Sequence, residues 1–226
     1  MPVKYKGELE MYFVNGIEPD LSDEKGNPNR KFIIKMQQIK LQDIEEMIIK
    51  LFDEEAPPNL YFHNSSMVKS ISNQVELLSG AENLPEEEYI NLKLASVFLL
   101  TGYITDYEKP MEASLRLVEE MLPGYGFSQQ NVEITNKIIM NSFSDHQECP
   151  SDNILHDARY DYLGRVDYIK LTEKLLRERT EYGKHSDTKT WIDSLIRQQN
   201  DHQFITKTAR LLRNVATEDQ IAELQK

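Results

Sequence analysis

Residues 96–126 read SVFLLTGYITDYEKPMEASLRLVEEMLPGYG. An apolar helix runs into a Gly-Tyr turn, an acidic loop follows, and a second amphipathic helix opens near Pro110 and stops at Pro123-Gly124. Two leucines, Leu99 and Leu100, stand at the mouth of the turn, in surroundings suited to presenting something more reactive. The same 3.6-residue periodicity extends to both sides of this stretch and makes the chain helical almost throughout. Ile39, Leu41, Ile44, Met47, Ile48 and Leu51 mark a first helix, stopped by Pro57-Pro58. A second spans about Asn64 to Leu78, with Val68, Ile71, Val75 and Leu78 on one stripe. A third follows Pro85, and Ser128 reads as the N-cap of a fifth. Further helices are expected around 152–163, 166–182 and 187–213, with a short tail after Thr217.

Composition sets the class. The chain has 226 residues, of which 39% are hydrophobic and 28% charged, enough for a sizeable core and unlike a disordered segment. No apolar run approaches the roughly 20 residues of a membrane span, and the opening MPVKYKGELEMYF lacks the apolar core of a signal peptide. The single cysteine, Cys149, excludes an intrachain disulfide and fits a reducing cytoplasm. A net charge of −12 argues against nucleic acid as a partner. Cys149 and His146 share the polar loop SDHQECPSDN, a weak pattern for a nucleophilic pair. His185 reads as exposed in EYGKHSD, His202 as a satisfied buried histidine, and His63 as part of a polar helix entry that Asn64 or Ser65 caps.

The N-terminal segment differs. Val3, Tyr5, Leu9, Met11 and Phe13 share one parity over residues 3–14, a strand pattern, and the polar run NGIEPDLSDEKGNPNR (15–30) reads as a linker. A lone strand leaves its backbone groups unsatisfied, so it is expected to pair with a copy of itself in a homodimer or with a sheet from elsewhere.

Five segments, in order, resemble the HD superfamily of metal-dependent phosphohydrolases: LYFHNSSMVKSI, SVFLLTGYI, EASLRLVEEMLPGYGFS, ILHDARYDYLGR and HQFITKTARLLR. The resemblance covers about residues 40–214 and implies an all-α, HD-like helical bundle over 31–226. In active members a histidine, a His-Asp pair and a distant aspartate hold a divalent metal that activates water. Here those positions carry Met67, Leu99-Leu100 and Asp157, and a further family histidine aligns with Pro110. Leucine has no donor atom and a thioether is a poor ligand for hard or borderline ions. The resemblance therefore implies a filled, metal-free and cofactor-free pocket, with His63, His146 and His202 left near it.

A second resemblance is shorter. VKYKGELEMYFVNGI is similar to the Lys-Gly-x-(Gly/Glu)-x-x-x-Tyr-Phe element that closes the catalytic domain of class III nucleotide cyclases, so residues 1–14 look like a remnant of its last strand. Together these imply a non-catalytic regulatory or interaction domain whose partner is a cyclase catalytic domain or a second copy. Two alternatives stay open: a phosphohydrolase with a displaced metal site using Asp157, His63, His146 and His202, and a metal-free sensor of a small molecule such as a nucleotide.

Overall fold

The computed structural model describes residues 2–3, 7–8, 16–144, 147–213 and 217–224, and the described chain is all-α apart from one short pairing at its start. β1 (Pro2–Val3) runs antiparallel to β2 (Gly7–Glu8), Pro2 opposite Glu8 and Val3 opposite Gly7. This corrects the reading of one strand without a partner in the chain: the described ends, Pro2–Val3 and Gly7–Glu8, pair with each other. The strand positions Tyr5, Leu9, Met11 and Phe13 lie outside the described residues.

The chain divides into two compact units, Met1–Gln38 and Ile39–Lys226. In the first, the expected linker carries ordered turns. Asp23 Oδ1 accepts the amides of Lys25 (2.8 Å) and Asn27 (2.9 Å), and Gly26 supplies the positive φ of +78° that the turn needs. Asn29 then caps α1 (Arg30–Glu55), its Oδ1 accepting the Phe32 amide at 3.2 Å.

In the second unit the remainder of α1 buries Leu41, Ile44, Ile48 and Phe52, spaced along one face. Next comes α2 (Ser65–Ala81), capped as expected by Asn64, whose side chain accepts the Met67 amide. At the centre lies α3 (Glu86–Phe98), in which every residue from Ile90 to Phe98 is buried. Three glutamates, Glu86 to Glu88, occupy its first turn, where they complement the helix dipole. The single turn α4 (Gly102–Thr105) leads to α5 (Pro110–Met121). A 3₁₀ turn, Leu122–Tyr125, ends at Gly126 with φ +74°. Then α6 (Gln129–Ser144) opens with a reciprocal cap: the Asn131 amide donates to Ser128 Oγ (3.3 Å), and the Ser128 amide donates to Asn131 Oδ1 (3.2 Å). α7 (Pro150–Arg159) follows, and α3 packs against α2, α5, α6 and α7.

Among the described residues, one lysine is buried in the core. Lys93 is 5% exposed, and its Nζ lies 3.5 Å from Glu45, 3.3 Å from Glu76 and 3.3 Å from the Ser72 carbonyl. With three oxygens around it the charge is paired and hydrogen-bonded, the condition for tolerating a buried cation.

Two of the later helices differ from expectation. The helix expected at 152–163 ends at Arg159 and continues as a 3₁₀ turn, Asp161–Gly164, before α8 (Tyr168–Glu181). The helix expected at 187–213 is two helices, α9 (Thr188–Asp201) and α10 (Lys207–Leu212), separated by extended backbone at His202 (ψ 137°) and Thr206 (ψ 150°). The amides freed by that break, those of Ile205 and Thr206, donate to the Asp157 carboxylate at 2.8 and 2.7 Å. Finally, α11 (Thr217–Leu224) packs against α8 and α9.

The opening turn has one steric requirement. A Cβ on Gly102 would lie 1.8 Å from the Pro110 carbonyl oxygen, so α5 starts directly against this residue. Backbone cannot yield as a flexible side chain does. Gly102→Ala is therefore expected to lower stability by about 1–3 kcal/mol, the usual range for overpacking a core, as read from the urea unfolding midpoint.

Candidate functional site

The four positions matched to the HD metal site lie on α2, in the turn that follows α3 (two of them), and on α7. Three of them are packed hydrocarbon or thioether: Met67, Leu99 and Leu100 are 8%, 0% and 4% exposed. Leu99 closes α3 through its amide to Ala95, and its carbonyl accepts from the Ser114 hydroxyl at 3.3 Å. The turn is thus built around Ser114, which also accepts the Gly102 amide at 2.9 Å.

Asp157 is 1% exposed, and its two carboxylate oxygens accept the Ile205 and Thr206 amides, with His156 Nδ1 3.3 Å from Oδ1. Burial pushes this carboxyl up, but the His156 contact and the two amides outweigh it and hold it below the usual aspartate value. Its role is to terminate the α9–α10 break. A divalent metal does not fit this donor set: the leucines offer no donor atom, the Met67 thioether is a poor ligand, and a single carboxylate remains. Among the described residues, no group of three or more His, Cys, Asp or Glu side chains is placed to hold a metal ion.

The histidines separate into two places. His63, at the entry to α2, stacks on Tyr103 with ring centroids 3.7 Å apart and planes 9° from parallel. Its Nδ1 bonds Glu178 Oε1. The Glu178 side chain has no exposure, and it also accepts the amides of Phe62 (2.7 Å) and His63 (3.0 Å) and the Tyr107 hydroxyl (3.1 Å). Tyr107 in turn stacks on Tyr182 at 3.7 Å. Burial raises the Glu178 carboxyl, and its donors, His63 first, bring it below the ordinary glutamate value. Burial lowers the His63 imidazole, and the carboxylate opposes this only in part.

The second place is a cleft of about 450 Å³ lined by His156, Tyr160, Gln198, Asp201, His202 and their neighbours. The His156 and His202 rings stack at 5.3 Å, and His202 meets Phe204 edge-on at 4.7 Å. So the structure brings His202 near Asp157 through His156, whereas His63 belongs to the Glu178–Tyr103 cluster. His146 lies outside the described residues. His185 is exposed, as expected. Burial raises the Cys149 thiol above its ordinary value, which works against a thiolate nucleophile.

Sequence reading missed Glu178. The signal was present: with Leu171 and Leu175 it sits at i, i+4, i+7 on the inward stripe of α8, a position where an acid needs a partner.

These shifts set a pH dependence. A histidine whose pKa is depressed in the fold contributes stability that is full above its unfolded value of 6.5 and is lost as pH falls below it. The depressed carboxyls of Glu178 and Asp157 add losses below their ordinary values of 4.5 and 3.8. Unfolding midpoints measured between about pH 7 and 2.5 should therefore fall in two steps. His63→Gln should remove the upper one.

No protein-family model matches the chain, and no curated protein and no solved structure matches it at a significant level.

Proposed function

We propose that this chain is a non-catalytic, HD-like regulatory or interaction domain, associated with a class III nucleotide cyclase and acting through contact with a protein partner. The observation that supports the non-catalytic half is the engagement of Asp157. The one acidic residue left at the matched metal positions accepts the amides of Ile205 and Thr206, one on each oxygen, and the positions matched to the His-Asp pair are the buried Leu99 and Leu100. Metal-hydroxide chemistry needs an open coordination position held by several anionic or imidazole donors, and this arrangement supplies neither. The cyclase half rests on the resemblance of VKYKGELEMYFVNGI alone.

Elemental analysis of protein purified without chelator, together with hydrolysis of a generic phosphomonoester and phosphodiester, tests the reading. The expected result is less than about 0.1 equivalent of manganese, iron, nickel or zinc per chain, against the one equivalent of an assembled site. Background turnover is expected beside it. One equivalent of any of these metals, with turnover that chelation abolishes, overturns it in favour of the phosphohydrolase alternative.

A further inference from the structure

In a chain with 38 acidic and 26 basic residues, one cleft of the second unit is lined by two arginines and by no acidic side chain among the described residues. It has a volume of about 550 Å³ and is lined by Gln203, Phe204, Ile205, Arg210 and Arg213. The first three belong to the extended segment between α9 and α10, and the arginines to the end of α10 and the residue after it. At i and i+3 the two arginines are neighbours on one face of that turn. Arg210 ties the turn to the segment, one terminal nitrogen donating to the Ile205 carbonyl.

Arg213 is fixed by Asp161, whose oxygens accept its Nε at 2.6 Å and its Nη2 at 3.2 Å. Its stem lies against Gly164, where a Cβ would come within 2.6 Å of the Arg213 Cβ. Asp161 neutralises Arg213. Arg210 forms no ion pair among the described residues, and its hydrogen bond goes to an uncharged carbonyl, so it gives the cleft an uncompensated positive charge.

These groups share a complement. Guanidinium groups pair with carboxylate and phosphate oxygens through a planar fork of N–H donors. The half-buried Phe204 ring, which meets His202 edge-on at 4.7 Å, offers apolar surface to a flat ring. The Gln203 carboxamide offers a donor and an acceptor to a polar edge. A cleft of this volume suits a metabolite-sized ligand rather than a bare ion.

We propose that this cleft binds a small organic anion, with a phosphate or carboxylate held at Arg210 and Arg213 and a flat ring set against Phe204. The site uses none of the positions matched to the HD metal site. It therefore goes beyond the non-catalytic reading, gives a regulatory domain a ligand to respond to, and can fail while that reading stands.

The probes are AMP and benzoate, with adenosine and benzamide as their uncharged counterparts, titrated into the full chain by calorimetry in EDTA at fixed ionic strength. Saturable binding of AMP or benzoate is expected, about ten-fold or more tighter than its uncharged counterpart, and the tighter of the two names the oxyanion. Arg210→Gln should weaken it about ten-fold or more, and Phe204→Leu about three-fold or more. Arg210 is exposed, so its substitution leaves the fold intact. Arg213→Lys keeps a charge beside Asp161 while removing the fork, and gives a second test. Circular dichroism verifies that each variant folds. Absence of saturable binding of AMP and benzoate up to about 10 mM overturns the site. So does an uncharged counterpart that binds as tightly as its anion, and so does binding that Arg210→Gln and Arg213→Lys both leave unchanged. Affinity unaltered by Phe204→Leu overturns the placement of the ring.

Discussion

Glu178→Ala is expected to lower the free energy of unfolding by about 3–5 kcal/mol, because it strands several buried donors at about 1–3 kcal/mol each. The carboxylate is fully buried and satisfies four donors: the amides of Phe62 and His63, the His63 imidazole and the Tyr107 hydroxyl. Alanine strands the two amides and the ring nitrogen inside the fold, where each unsatisfied donor carries its own desolvation penalty. The loss should also release the aromatic series, because Tyr107 stacks on Tyr182 and His63 on Tyr103 only while Glu178 orients them. Glu178→Gln keeps an acceptor oxygen and should lose less than alanine. Urea unfolding at neutral pH measures both, with near-ultraviolet circular dichroism reporting the tyrosines. A loss below about 1 kcal/mol for alanine, the size of one ordinary hydrogen bond, would show that the carboxylate is not the hub of this cluster.

Asp157→Ala is expected to cost about 2–5 kcal/mol, because it leaves the buried amides of Ile205 and Thr206 without an acceptor. Asp157→Asn preserves shape and one acceptor, so its cost should be smaller. If the residue instead served a metal, both substitutions would deplete bound metal, and chelation would lower the midpoint of the wild type to that of the variants. Midpoint and metal content measured on the same samples therefore distinguish a capping aspartate from a ligand. Proteolysis gives an independent reading: cleavage within 202–206 should accelerate in the alanine variant, since that extended segment is tied down by the carboxylate.

The sequence by itself determined the helices and most of their ends. Periodic burial of Val68, Ile71, Val75 and Leu78, the caps at Asn64 and Ser128, and the stop after Met121 all depend on residues within a turn or two of one another. Such local patterns survive in a linear reading because helix hydrogen bonds and caps span only three or four positions. The hydrocarbon character of Met67, Leu99 and Leu100 was equally legible, since it is a property of side-chain type.

What the sequence left open depended on distant partners. An extended break after Asp201 looks unfavourable until Asp157, 48 residues earlier than Ile205, accepts the amides it frees. His63 at a helix entry reads as part of a cap until Glu178, 115 residues away, meets its backbone and its ring. Only the tertiary structure decided these points, because the cost of a buried donor, carboxylate or guanidinium is set by which groups from other helices reach it, and no local spacing encodes that.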